Sequence, residues 1–232
     1  MITHFTRRQI LASAGAATFL TPLVEATEPP TSEPFPRDGT EALSRLKAGN
    51  ARFAEGKTRH AHEGADWRKQ LVADQKPFAI VLGCSDSRVP TELVFDQGFG
   101  DLFVIRVAGN VIDTDVVGSI QYAVRHLKTQ LLVVMGHEGC GAVTATLAAI
   151  DGTAKEPRFV EALAKRIEPG LKGLDRQLVG TARLSAAVEA NVRWAEKQLA
   201  SFPEGKKALE DKAVMLVGAV YELNTGRVRF LV

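Results

Sequence analysis

The chain is poor in cysteine: its 232 residues include only two, Cys84 and Cys140. It also lacks any apolar run of the ~18–20 residues that a membrane-spanning helix needs, so no stable membrane span is expected. Neither sign of charge dominates, because 29 lysines and arginines stand against 27 aspartates and glutamates without a basic block. Nucleic-acid binding is therefore not expected. With 45% hydrophobic and 24% charged residues, the composition is that of a globular protein with a well-developed core.

The N-terminal segment resembles a twin-arginine export signal. The letters TRRQIL at 6–11 precede an alanine-rich apolar run, and small residues around position 26 offer a cleavage site. We interpret 1–26 as a signal peptide, 27–37 as an extended proline-rich linker and 38–232 as a single folded domain. The protein is therefore expected in the periplasm, or otherwise exported by the bacterial twin-arginine route. A chance arginine pair in a flexible tail is the alternative.

Four short apolar runs predict the strands of the fold. They are rich in Val, Ile and Leu without alternation, which is typical of strands buried on both faces of a parallel sheet. The runs span 78–83, 102–107, 130–136 and 213–221.

Helical patterns lie before and between these runs. Apolar spacing predicts helices over 38–56, where Thr40 is a candidate N-cap, and over 113–129. Alternation of strand and helix indicates an α/β fold with a mostly parallel central sheet flanked by helices. The letters NTG at 224–226, between two apolar runs, predict a hairpin that adds an antiparallel edge strand at the C-terminus.

Both cysteines follow predicted strands, and a histidine accompanies the second. Cys84 comes after the run 78–83, whereas His137 and Cys140 come after the run 130–136. Ligands of an open parallel sheet collect outside the carboxyl ends of its strands, so these side chains are expected to converge. Two thiolates and one imidazole suit zinc. A disulfide is the competing interpretation for an exported protein, but it leaves His137 unexplained, and a protein exported in its folded state can acquire its metal before transport.

The fourth position of such a tetrahedral site is left for water or for Asp86, two residues beyond Cys84. Water at that position ionises near pH 7 in favourable sites. Arg88 can pair with Asp86 in bidentate fashion and keep it off the metal. An unpaired Asp86 can instead occupy the metal itself, and both arrangements stay open at this point.

These residues resemble the motifs of the β-class carbonic anhydrases. The resemblance rests on CSDSRVP at 84–90, VIRVAGN at 104–110, GHEGCGAV at 136–143 and SAAVEANV at 185–192. It extends from about Leu43 to the C-terminal hairpin. It implies one zinc ion per chain.

In terms of residues, the resemblance implies that Cys84, His137 and Cys140 hold the zinc ion. It also implies that Asp86 and Arg88 form the catalytic pair that gates the site and orients its water.

Substrate contacts and assembly follow from the same resemblance. Gln75 would bind substrate from the neighbouring subunit of a homodimer or homotetramer, while Phe103, Ala108 and Tyr122 would line an apolar pocket for carbon dioxide. Val81 stands where members inhibited by bicarbonate carry tryptophan, so we expect no such regulatory site and a constitutively active form.

The expected reaction is the zinc-dependent reversible hydration of carbon dioxide to bicarbonate and a proton, which is a lyase reaction. One alternative is a hydrolase of carbonyl sulfide or carbon disulfide on the same scaffold, because such relatives share these ligands. Another is a non-enzymatic zinc or thiol protein of the cell envelope. His60 and His62, in a polar segment, are interpreted as parts of a solvated loop rather than as a second metal site.

Overall fold

A computed structural model describes residues 34–231. The predicted export signal 1–26 and most of the linker 27–37 lie outside the described residues. The last residues of that linker, 34–37, have no regular secondary structure and lead into the first helix.

The described residues form a five-stranded sheet surrounded by helices. The strands are β1 (Ala79–Gly83), β2 (Leu102–Arg106), β3 (Leu131–His137), β4 (Met215–Tyr221) and β5 (Val228–Leu231). The helices are α1 (Gly39–Ala54), α2 (Ala65–Gln70), α3 (Thr91–Val94), α4 (Thr114–Arg125), α5 (Gly141–Ile150), α6 (Arg158–Leu171), α7 (Gly180–Ser201) and α8 (Pro203–Glu210). A 3-10 turn, Ala108–Asn110, follows β2.

The strand order is β2-β1-β3-β4-β5, in which the first four strands are parallel and β5 is antiparallel to β4. The predicted α/β fold with its antiparallel edge strand is therefore confirmed. The chain leaves β1 towards β2 on one side and later returns to place β3 on the other. This reversal puts a crevice at the carboxyl ends of β1 and β3.

Both faces of the sheet are covered, which explains the continuous apolar runs. On one face, Ile80 and Leu82 of β1 belong to a core shared with α4, α5, α6 and α7. On the opposite face, Ala79 and Val81 belong to a core shared with α1 and α3. All five residues of β1 are buried. No helix among residues 34–231 is long and apolar enough to cross a membrane.

Helix α1 closes one face of the sheet and holds the C-terminal hairpin. Its N-cap is Asp38, whose carboxylate accepts from the backbone N–H groups of Thr40 and Glu41 at 2.8 and 2.9 Å. The predicted cap Thr40 is therefore wrong, because aspartate two residues earlier offers the stronger acceptor. Asn50 of the same helix donates to the Gly226 carbonyl at 2.8 Å and accepts from the Val228 N–H at 2.7 Å.

Helix α7 lies directly on the central strands because two glycines leave room for it. A Cβ at Gly136 of β3 would come within 2.7 Å of Val192 Cγ2, and one at Gly218 of β4 within 2.6 Å of Glu196 Oε2. The close approach fixes α7 beside the carboxyl end of β3.

Candidate metal centre

Three potential metal donors meet where β1 and β3 end. Cys84 follows β1, His137 is the last residue of β3, and Cys140 is the N-cap of α5. Gly139, in the left-handed region at φ 63°, allows the chain to turn from strand to helix within three residues. The three ligand atoms lie within 4.8 Å of one another, and the three residues are buried. Within residues 34–231 this is the one cluster of at least three such donors.

The His137 ring is oriented with one nitrogen towards the cluster. Its Nδ1 lies 2.9 Å from the Glu138 carbonyl oxygen, which can only accept, so Nδ1 carries the hydrogen and Nε2 keeps a free lone pair. Nε2 is buried and has no hydrogen-bond partner among the described residues. A buried acceptor without a partner is costly. A cation bound by Nε2 removes that cost, and the carbonyl bond to Nδ1 is the kind of contact that orients a ligating histidine.

The two cysteine sulfurs are not bonded to each other. Both are free and buried. The Cys84 sulfur accepts from the Gly109 N–H at 3.2 Å; the neighbouring Cys140 side chain and this N–H hold the pKa of Cys84 well below its usual range. Contact with the Cys84 side chain and burial raise the pKa of Cys140, so the metal-free thiol holds its proton more tightly. The start of α5 places N–H groups near Cys140, which favours a thiolate once a metal takes the place of that proton.

Asp86 is turned towards Arg88 and stays out of the donor cluster. The Arg88 Nε donates to Asp86 Oδ1 at 2.9 Å and its Nη2 donates to Oδ2 at 2.8 Å, a bidentate pair. This pair is the main cause that holds the pKa of Asp86 well below its usual range. Asp86 Oδ2 nevertheless lies 3.8 Å from His137 Nε2, so the carboxylate borders the position that a ligand of the cluster would take.

Arg106 holds the loop that carries the first donor and the acid. From the end of β2 it donates through Nε to the Cys84 carbonyl at 3.0 Å and through Nη2 to the Asp86 carbonyl at 2.6 Å. Arg106 has no role among the predicted site residues, although it lies within the segment 104–110. An arginine at the end of a strand does not by itself indicate this role, because its partners are backbone carbonyls.

Of the predicted substrate contacts, one lies beside the cluster and three do not. Ala108 is next to Gly109 in the 3-10 turn. Phe103 is level with Ile80, at the start of β1, which places it roughly 13 Å before Cys84 along the strand direction.

The remaining two predicted substrate contacts, Gln75 and Tyr122, lie near the amino ends of β1 and β2. Gln75 precedes β1 and is exposed, and the Tyr122 ring lies 6.3 Å from the Phe103 ring. Gln75, Phe103 and Tyr122 therefore do not reach the metal cluster of their own chain.

The polar segment with two histidines is more ordered than predicted. His60 is exposed and lies 3.3 Å from Glu63, in agreement with a solvated loop. His62 instead bonds through Nδ1 to Asp101 Oδ2 at 2.8 Å and stacks on the Trp67 ring at 3.9 Å. The solvated interpretation of His62 was wrong because Asp101, an aspartate distant in sequence, provides it with a buried partner.

The residues around the cluster correspond to those of known proteins. Residues 79–228 match the sequence profile of a family described as "Carbonic anhydrase". "Carbonic anhydrase 2" of Mycobacterium tuberculosis is 40% identical over 191 residues, which cover 80% of this chain and 89% of that protein. The carbonic anhydrase of Mycolicibacterium smegmatis is 43% identical over 189 residues, covering 81% and 90%.

Solved structures agree with these relatives. The β-carbonic anhydrase CcaA superposes with a TM-score of 0.67 at 29% identity and covers 81% of this chain and 86% of its own. The Coccomyxa β-carbonic anhydrase in complex with acetazolamide superposes with a TM-score of 0.66 at 26% identity, with coverage of 82% and 86%.

The fold is a mostly parallel sheet flanked by helices, with a buried Cys-His-Cys donor set at its switch point. Such a protein can hold one metal ion at the carboxyl edge of its strands. This architecture and the relatives just described identify the protein family. The chain belongs to the carbonic anhydrases, of the β class, and is an enzyme that hydrates carbon dioxide. These relatives do not favour hydrolysis of carbonyl sulfide or carbon disulfide.

Proposed function

We propose that this chain catalyses the reversible hydration of carbon dioxide with one zinc ion held by Cys84, His137 and Cys140. The observation that carries the proposal is the buried cluster of these donors, in which the His137 Nε2 has no partner within the described part of the chain. Ligand atoms around one tetrahedral zinc ion are separated by about 3.5–3.8 Å, which the cluster accommodates. Bound zinc supplies a nucleophile at neutral pH by lowering the pKa of water.

The role of Asp86 in this proposal follows from its position. Oδ1 accepts from both the backbone N–H and the Nε of Arg88, whereas Oδ2 accepts from Arg88 Nη2 alone among the described residues and so retains an acceptor site. Asp86 can therefore accept a hydrogen bond from water beside the cluster and aim the lone pair of that water at the carbon of the substrate. Arg88 keeps the carboxylate ionised and directed away from the metal donors.

The proposal is tested by zinc content and hydration rate on the same preparations. The purified chain is expected to contain one zinc equivalent and to hydrate carbon dioxide rapidly in stopped-flow assays. Cys140→Ser is expected to lose both, because the hydroxyl is a much poorer zinc ligand than a thiolate. Thr146→Ser, a buried change on the same helix away from the cluster, is the control. Full activity of Cys140→Ser, or faster turnover of carbonyl sulfide than of carbon dioxide, contradicts the proposal.

We further propose that two or more copies of the chain complete the substrate pocket. Strand β2 ends the sheet on one side, and its residues Phe103 and Ile105 are only partly buried. Tyr122 beside it is 47% exposed. A second copy placed against this edge covers the apolar surface and brings its own Gln75, Phe103 and Tyr122 towards the neighbouring metal centre, which supports a homodimer or homotetramer.

Export by the twin-arginine route is also proposed, on the sequence of residues 1–26 alone. Expression of the full chain in a bacterium with this pathway is expected to give periplasmic protein that begins near Thr27, as intact-mass spectrometry would show. Replacement of both Arg7 and Arg8 by lysine is expected to hold the protein in the cytoplasm. Periplasmic protein from the double variant contradicts this assignment.

A further inference from the structure

The backbone turn after β2 reaches the metal cluster. The Gly109 N–H donates to the Cys84 sulfur at 3.2 Å. Hydrogen bonds to metal ligands from the surrounding protein set their orientation and charge, and their loss typically costs about 10–100-fold in metal affinity. Gly109 therefore contributes to the site through its backbone.

This turn contains two successive residues in the left-handed region, which only glycine adopts freely. Gly109 and Asn110 are both in the left-handed region, at φ 69° and 44°. A Cβ at Gly109 would come within 2.8 Å of Ile167 Cδ1 and 3.0 Å of Ala142 Cβ, so a larger residue would have to displace these neighbours. Two successive residues in this region persist only where their surroundings hold them. The direction of the Gly109 N–H therefore depends on contacts from outside the turn.

One such contact comes from Asn191 on α7. Its Nδ2 donates to the Gly109 carbonyl at 2.9 Å, and the side chain is 3% exposed. A buried amide is costly in such a place unless it is hydrogen-bonded. The other buried residues of α7 are all apolar: Ala187, Val188, Val192, Ala195 and Leu199. An apolar side chain would suit this stripe better, so the amide points to a requirement set by the Gly109 turn.

Helix α7 also contacts the strand that carries the histidine donor. Gly136, the residue before His137, leaves room for Val192, the residue after Asn191. The same helix turn therefore touches the end of β3 and holds the turn that donates to Cys84. Through these contacts, α7 fixes the positions of Cys84 and His137 relative to each other.

We propose that Asn191 is a positioning residue of the metal centre. By holding the Gly109 carbonyl it directs the Gly109 N–H at the Cys84 sulfur, and so sets how tightly the three donors bind their metal. Asn191 acts through the backbone of the turn. The proposal rests on the Cys84–His137–Cys140 site but not on the reaction carried out there.

The test replaces Asn191 by leucine, which has the same number and branching of side-chain heavy atoms but no donor. In competition with a zinc chelator, Asn191→Leu is expected to bind zinc about 10–100-fold more weakly than the unaltered chain. Its cobalt-substituted form is expected to show shifted thiolate-to-metal charge-transfer bands. Thr146→Val is the matched control: Thr146 is 1% exposed and its hydroxyl bonds only to Ala142 of its own helix among the described residues. Its zinc affinity and cobalt spectrum are expected to be unchanged, whatever its thermal stability.

A structural role alone would lower the melting temperature and leave the metal measurements unaffected. Zinc affinity and cobalt bands of Asn191→Leu equal to those of the unaltered chain therefore overturn the proposal. If the leucine variant does not fold, Asn191→Ala takes its place, with near-UV circular dichroism to establish its fold. The same weakening is expected there, and unaltered metal binding by the alanine variant is equally decisive against the proposal.

Discussion

Asp86 borders the metal donors while its carboxylate faces a guanidinium. Both oxygens accept from Arg88, and one lies 3.8 Å from the free nitrogen of His137. A carboxylate held in this way is ionised at neutral pH, because its pKa is well below the usual range. Asp86 is thus suited to accept a hydrogen bond from water without itself binding the metal.

Asp86→Asn is expected to lower kcat/KM by about 10²–10⁴-fold, the range found for loss of a group that handles protons. Zinc content is expected to stay at one equivalent, because the three donors are untouched. Stopped-flow hydration and elemental analysis on one preparation check both values. Asp66→Asn, on the exposed surface of α2, is the control. Loss of zinc from Asp86→Asn would show instead that the carboxylate is a ligand.

The residues of the metal centre differ in how readily they could be predicted from the sequence. Cys84, His137 and Cys140 could be predicted because their side chains suit a metal and each follows a recognisable strand. Arg106 and Asn191 could not, because they bond to backbone carbonyls, which any donor side chain can do. The roles of Gln75, Phe103 and Tyr122 stay predictions, since these residues lie away from the cluster of their own chain.

At the scale of elements, the strands were predictable and the short connections were not. β1, β3 and β4 lie within two residues of the predicted runs because burial on both faces leaves an uninterrupted apolar signal. The four-residue helix α3 and the turn at 108–110 have no periodicity of their own. Their conformations depend on tertiary contacts, such as that of Asn191 with Gly109.

The contact of α7 with β3 predicts a contrast between two glycines. Gly136→Ala is expected to destabilise the fold by about 1–3 kcal/mol, because the new Cβ would lie 2.7 Å from Val192 Cγ2. Gly118→Ala, in α4, meets no atom within 4 Å and is expected to stabilise by roughly 0.5–1 kcal/mol through helix propensity. Urea unfolding of the zinc-loaded proteins measures both. Equal effects of the two substitutions would contradict this packing.

Where α7 contacts β4, replacing the carboxylate of Glu196 is expected to stabilise the fold by an amount that depends on pH. Burial raises the pKa of Glu196, despite the opposing effects of Arg193 and the Gly218 N–H. Ionisation of Glu196 therefore costs more in the folded than in the unfolded chain, and this cost is present above its folded pKa and disappears as pH falls towards the unfolded value.

Glu196→Gln is accordingly expected to unfold at higher urea concentration than the unaltered protein at pH 8. The difference is expected to shrink at pH 4.5. Glu204→Gln, an exposed change on α8, provides the baseline at both pH values. A gain of the same size at pH 8 and pH 4.5 would show that burial of the charge is not its cause.

At the scale of the whole molecule, the open side of β2 predicts assembly. An edge strand with partly exposed apolar side chains is a template for pairing with another chain. Ile105→Lys is expected to reduce the mass in solution to that of one chain, as light scattering after size-exclusion chromatography would measure, and to lower hydration activity with it. Val179→Lys places the same charge on a residue that is 76% exposed elsewhere and is expected to leave the mass unchanged. An oligomer that survives Ile105→Lys rules out this edge as the interface.

The positions of α7 and β4 near the end of the chain have a consequence for biosynthesis. A ribosome completes Cys84, His137 and Cys140 before it adds Asn191 and the strand that pairs with β3. Until those last segments emerge, the nascent polypeptide carries two unshielded thiols and a sheet with one side missing. Ion uptake is therefore expected to follow translation, and the interval before it is when the cysteines are most open to oxidation.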